Sequence, residues 1–69
     1  MKVFLQNVKT GLLFRDLGEW TDDNEKARAF PNSLIALDFC NLKQLDGIQI
    51  LLRFDQPRYD VRLPFLARP

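Results

Sequence analysis

Few side chains in this sequence could carry chemistry. Cys40 is the one thiol, and histidine is absent. Nucleophilic catalysis needs a serine, cysteine or lysine with a base in hydrogen-bond reach and a third group to orient it. No imidazole can serve as that base here. Cys40 falls among Ile35, Ala36 and Phe39 at helical spacing, and a thiol buried in apolar surroundings behaves as a small, inert hydrophobe. Asp22, Asp23 and Glu25 form the second cluster, of a kind that binds Mg²⁺ or does acid–base work. Neighbouring residues on a helix point about 100° apart, so the adjacent aspartates do not converge. Asp22 followed three residues later by Glu25 has the spacing of a capping box, and all three carboxylates complement a helix N-terminus.

The remaining motifs are weaker. Gly11, Gly18 and Gly47 are scattered, whereas a phosphate cradle needs a glycine-rich loop opening a helix. Zinc would need a cluster of thiolates and imidazoles. Asp55 and Asp60 read as turn and edge-strand residues. Trp20 could stack on a ligand, but between a hairpin and a helix in a short chain it reads as a lid on the core. The expectation is no catalytic, metal-ligating or cofactor-binding residue, and no enzyme.

Composition narrows the classes further. Sixty-nine residues leave room for one core, 46% hydrophobic residues with six Phe, one Trp and one Tyr argue for a folded chain, and ten basic against nine acidic residues give a formal charge of +1. That charge makes no field for a polyanion, so nucleic acid is disfavoured as a partner. So small a core gives only a few kcal/mol of net stability, and neither disulfide nor metal can supplement it. Self-association is therefore the expected supplement. The apolar run Val3–Leu5 is far shorter than a secretory segment, and no run of 18 apolar residues follows, so no membrane span and a cytoplasmic setting are expected.

The elements that position these residues follow from periodicity. Lys2 to Val8 alternates, with Val3 and Leu5 on one face and Phe4 and Gln6 on the other. Asn7 and Gly11 suit a bulged hairpin, after which Gly11–Arg15 returns as a second strand, with Leu12 and Phe14 facing one way and Leu13 and Arg15 the other. Asp16–Glu19 reads as a loop that delivers Trp20 to the core edge. A short helix is expected from Asp22, carrying Ala27 and Phe30 inward and stopped by Pro31. Asn32 or Ser33 then caps a second helix reaching about Gln44. Its wheel gathers Ile35, Ala36, Phe39, Cys40 and Leu42 in one stripe, with Leu34 and Leu37 opposite, beside Asp38, Asn41 and Gln44. Ile48–Phe54 alternates as a central strand, and Tyr59–Leu63 as an edge strand closed by Pro64.

The fold class this implies is α+β, a small antiparallel sheet in the order ββααββ, spatially 2-1-3-4, with both helices on one face. The helix-free face would carry Phe4, Leu13 and Leu51 within a rim of Arg15, Arg53 and Arg62. Aromatic and arginine side chains on an open sheet suggest a small nucleic-acid-binding domain, but such platforms stack bases on two or three aromatics and only Phe4 is present. A protein-interaction or homodimer surface built from Phe4, Leu13 and Leu51 accounts for the same residues.

Trp20-Thr21-Asp22, Ala27, Phe30, Ser33, Ala36, Phe39-Cys40 and Ile48-Gln49-Ile50 form a pattern that resembles a group of small bacterial proteins of no known activity. The group shares an N-x-x-T-G hairpin, matched here by Asn7, Thr10 and Gly11, then a tryptophan, Ala-x-x-Phe, a helix and a strand. The resemblance spans Val3 to Phe54 and departs at Asp16-Leu17-Gly18, where a loop richer in glycine and proline is the group's habit; the Arg62–Pro69 tail has no counterpart. It implies no catalytic residue, cofactor or partner.

Leu34 and Leu37, set among polar neighbours on the wheel, are either simply solvated, as scattered exposed hydrophobes commonly are, or, the sharper expectation, lie beneath a cover, the tail through Phe65 and Leu66 or a second subunit. Burying one leucine is worth roughly 1.5 to 3 kcal/mol, a large share of the margin of so small a chain. Truncation after Leu63 should therefore lower the melting temperature or dissociate an oligomer. Light scattering and thermal melting check this, and an unchanged mass with an unchanged melting temperature would contradict it.

Overall fold

The computed structural model describes residues 1–64. The chain runs β1 (Lys2–Asn7), β2 (Leu13–Asp16), β3 (Glu19–Thr21), α1 (Ser33–Leu42), β4 (Ile48–Arg53), a 3₁₀ turn (Pro57–Tyr59) and β5 (Val61–Pro64). The strands form one antiparallel sheet in the order β3-β2-β1-β4-β5. Among the described residues there are thus five strands and one α-helix, which corrects the expected ββααββ order, four-stranded 2-1-3-4 sheet and pair of helices.

Both corrections have local causes. The expected loop at Asp16–Glu19 is a tight reversal instead. Asp16 Oδ1 accepts the Leu17 amide at 2.8 Å, Gly18 takes φ +78°, and the chain returns at once to pair Phe14 with Trp20 and Leu13 with Thr21. An extra strand thereby joins the sheet at the β2 edge. The expected first helix closes only one turn, in which the Lys26 and Ala27 amides both donate to Asp23 O. The next donors go elsewhere: Arg28 N–H to Phe14 O at 2.9 Å and Phe30 N–H to Val3 O at 2.8 Å. Amides committed to neighbouring strands cannot propagate a helix, and Pro31 forbids continuation in any case.

The first hairpin is held by Asn7, whose Oδ1 accepts from the Lys9 and Thr10 amides at 2.8 and 3.1 Å, while Gly11 at φ +77° turns the chain. Asn32 caps α1 by accepting the Ile35 amide at 2.9 Å. At the other end, Leu45 N–H reaches Cys40 O at 3.0 Å and Gln44 N–H reaches Asn41 O at 3.2 Å. Those two bonds make a Schellman stop, with Gln44 at φ +55° in the left-handed position that glycine usually fills.

α1 packs across β1 and β4. Beneath it Val3, Leu5, Phe14, Phe30, Ala36, Cys40, Ile48 and Ile50 form the main core, with Trp20, Leu37, Phe39, Leu45 and Leu52 packed against it. Phe14 lies between Trp20 and Phe39 in edge-on contacts at 5.6 and 5.5 Å. The helix is rotated from the expected stripe. Leu37 turns inward, whereas Ile35 and Leu42 join Leu34 in solvent, because Phe39 and Leu37 flank Ala36 and Cys40 as the buried side. The tail residues Phe65 and Leu66 lie outside the described residues.

A left-handed backbone costs a non-glycine residue about 1 to 2 kcal/mol. Gln44→Gly should therefore stabilise the protein by about 0.5 to 1 kcal/mol after the added freedom of the unfolded chain. Denaturant titration checks it with Gln44→Ala as control; equal midpoints for the two variants would contradict a strained stop at this position.

Candidate functional site

The face of the sheet away from α1, expected to be open, is largely closed. Phe4, Leu13 and Leu51 form a second buried cluster, against which Ala27 packs. Phe4 and Leu51 stand directly opposite each other on β1 and β4, and Gln6 pairs with Leu13 on the same face. Ala27 belongs to the segment between β3 and α1, which is tied into the sheet by the Arg28 and Phe30 amides. These donate to Phe14 O and Val3 O, the latter within an antiparallel bridge that carries Phe30 to the helix-side core. The assignment of Phe4, Leu13 and Leu51 to an exposed interaction surface is therefore corrected: they are core.

The arginines of that face divide. Arg15 is exposed. Arg53 is a clasp: its Nε and Nη2 donate to Asp60 Oδ2 at 3.1 and 2.9 Å, and its Nη1 donates to Asn24 Oδ1. One guanidinium thus ties β4 to the start of β5 and to the segment between β3 and α1. The Asp60 side chain is only 6% exposed, and its Oδ1 is buried with no hydrogen-bond donor among the described residues. Arg62 is exposed and donates through Nε to Gln6 Oε1 at 3.3 Å. The same oxygen accepts Gln49 Nε2 at 2.9 Å, and Gln6 Nε2 donates to Gly11 O at 3.0 Å, so the buried Gln6 amide is satisfied at both ends.

The groups singled out for chemistry do not assemble. Asp23 spends its carboxylate on the Glu25 amide at 2.8 Å, and Asp22 and Glu25 are exposed. Among the described residues no group of three His, Cys, Asp or Glu side chains could hold a metal ion. Cys40 is buried, with Sγ 3.5 Å from Leu45 O. A shallow cleft of about 360 Å³ opens beside the clasp, lined by Met1, Lys2, Asn24, Glu25, Arg53, Phe54 and Asp55. Lysine and arginine face two carboxylates there, which favours neither an anion nor a cation. Among the described residues no helix is long and apolar enough to cross a membrane.

Exposed apolar surface lies on the helix side instead. Leu34 is 66% and Leu42 77% exposed, with Ile35 also in solvent, whereas Leu37, expected beside Leu34, packs on the core. Val61 and Leu63 on β5 are 40% and 39% exposed. Residue types alone did not reveal Asn24 and Asp60 as partners of Arg53, although Arg53 and Asp60 flank one turn at a spacing that puts both on one sheet face.

Comparison with protein-family models, curated proteins and solved structures finds no match to this chain.

Removing one member of a buried ion pair leaves the other charge unpaired, whereas replacing both with apolar residues is often neutral. Arg53→Met should thus cost on the order of 2 to 3 kcal/mol, and Arg53→Met with Asp60→Leu should recover most of it. Chemical denaturation of both variants checks this; a double variant no more stable than the single one would show that the clasp to Asn24, not the ion pair, carries the energy.

Proposed function

We propose that this chain is a non-enzymatic protein-interaction module, capable of self-association, that meets its partner through its helix-bearing side. The observation that carries the reading is the outward face of α1. Leu34, Ile35 and Leu42, all exposed, span about 100° of the helical wheel, with Asp38 between them. Isolated exposed hydrophobes are ordinary, but three large ones share the outward face of a ten-residue helix, Leu34 and Ile35 in its first turn and Leu42 about two turns on, beyond Asp38, and an apolar face of this kind suits a docking surface. The non-enzymatic part draws support from the buried Cys40 and from carboxylates engaged in turns. A cytoplasmic setting belongs to the same reading, because one buried thiol needs no oxidising compartment.

The nucleic-acid alternative would use Arg15, Arg53 and Arg62 on the other sheet face. Its stacking residue Phe4 is buried and Arg53 is turned onto Asp60 and Asn24, so the observations favour the apolar helix face.

The test is the double variant Leu34→Lys with Leu42→Lys. Both positions are solvated, so stability should stay within about 0.5 kcal/mol of the parent, while proteins retained by the immobilised parent domain should bind the variant at least about tenfold more weakly, some 1.4 kcal/mol. Equal retention by the two would contradict the reading.

A further inference from the structure

β5 lies at the sheet edge, and α1 packs across β1 and β4 rather than over it. Val61 and Leu63 stand opposite Leu52 and Ile50, and directly paired residues share a face, so they extend the helix-side core outward. Ile50 is buried, whereas Val61 and Leu63 are each about two-fifths exposed. Among the described residues no strand pairs with the outer side of β5.

Sheet edges are normally guarded by charge, brevity or bulges. The β3 edge has all three: it is three residues long, begins with Glu19 and pairs irregularly beside Asp16. The β5 edge is guarded by its shortness and by Pro64 but carries no charge or bulge on its apolar side, since its one charge, Arg62, is drawn to Gln6 on the opposite face. Pro64 adds a direction. A proline within a paired strand sits with its nitrogen away from the neighbour, which turns the Pro64 and Arg62 backbone groups outward together.

We propose that β5 seats a weak symmetric dimer in which two copies pair antiparallel, edge to edge, about a two-fold axis at Leu63; this deepens the self-association half of the reading above and rests on it. Self-complementarity selects the axis. Centred on Leu63, the pairing sets Leu63 against its own copy and lets each Arg62 N–H donate to the other copy's Pro64 carbonyl. Centred on Arg62, it would oppose two like charges, which is unfavourable. Centred on Val61, it would call on Asp60, which is already held in the ion pair with Arg53. A strand of four residues buries less than the roughly 800 Å² per partner of a standard complex, so association is concentration dependent.

Sedimentation velocity from about 10 µM to about 1 mM, the range suited to a sub-standard interface, tests the proposal. The parent should shift from monomer towards dimer, Leu63→Lys should raise the dissociation constant at least about tenfold, and Leu34→Lys with Leu42→Lys should leave it unchanged. Amide exchange on the parent is an independent arm that needs no folded variant: the Arg62 amide should become more protected as concentration rises, while the Val8 amide, which donates to Gly47 O, should not. A parent that stays monomeric, or dimerisation insensitive to Leu63→Lys, would overturn the proposal. Loss of dimer on the helix variant alone would also overturn it while leaving the interaction reading intact.

Discussion

Two backbone hydrogen bonds, Arg28 N–H to Phe14 O and Phe30 N–H to Val3 O, fix the path of the chain between β3 and α1. A five-stranded sheet is about 20 Å wide, and one helix about 10 Å across covers only its middle. The other face carries Phe4, Leu13 and Leu51, which would cost several kcal/mol if left in water. The segment between β3 and α1 contributes to both faces without a second helix, Ala27 against these three and Phe30 in the helix-side core. Its amides are spent on strand carbonyls, so its backbone is satisfied at the sheet, and Ala27 is small enough to lie against the three large side chains.

Much of the polar architecture exists to hold that segment. Asp23 organises its turn internally through the amides of Glu25, Lys26 and Ala27. Arg53 fastens Asn24 to β4 from outside while neutralising Asp60. Arg28, at the far end, lays its guanidinium 4.7 Å from the Phe39 ring centre and 5.5 Å from that of Phe30, roofing the aromatic cluster from the solvent side. With Phe4, Leu13 and Leu51 buried, the large apolar side chains left in solvent include Leu34, Ile35 and Leu42 on the outer face of α1 and Val61 and Leu63 on β5.

Features set by short-range chemistry were legible in the sequence. The Asn7–Gly11 hairpin, the Asn32 cap and the alternating strands at Lys2–Asn7 and Ile48–Arg53 each follow from residues within a few positions of one another. Features decided at long range were not. Nothing local to Asp22–Phe30 says that Phe14 and Val3 will take its amides, so a capping box read as a helix. The α1 wheel shows one wide apolar stripe, and its rotation, which turns Leu37 onto the core and leaves Ile35 and Leu42 in solvent while Ala36, Phe39 and Cys40 stay inward, is set by packing on the distant strands β1 and β4. Alternation places Phe4, Leu13 and Leu51 on one face, but it cannot say whether that face is covered. That is why the expected interaction surface proved to be a second core.

That the segment between β3 and α1 is an integral part of the sheet, bonded to Phe14 and Val3, is tested most directly by native-state hydrogen exchange at the Arg28 and Phe30 amides. The account predicts that both exchange only through global unfolding, with the same opening free energy as the Leu5 and Ile50 amides in β1 and β4. Exchange of Arg28 and Phe30 at the rate of the exposed Lys9 and Thr10 turn, while the strand amides stay protected, would contradict it and reopen the outer sheet face as a surface.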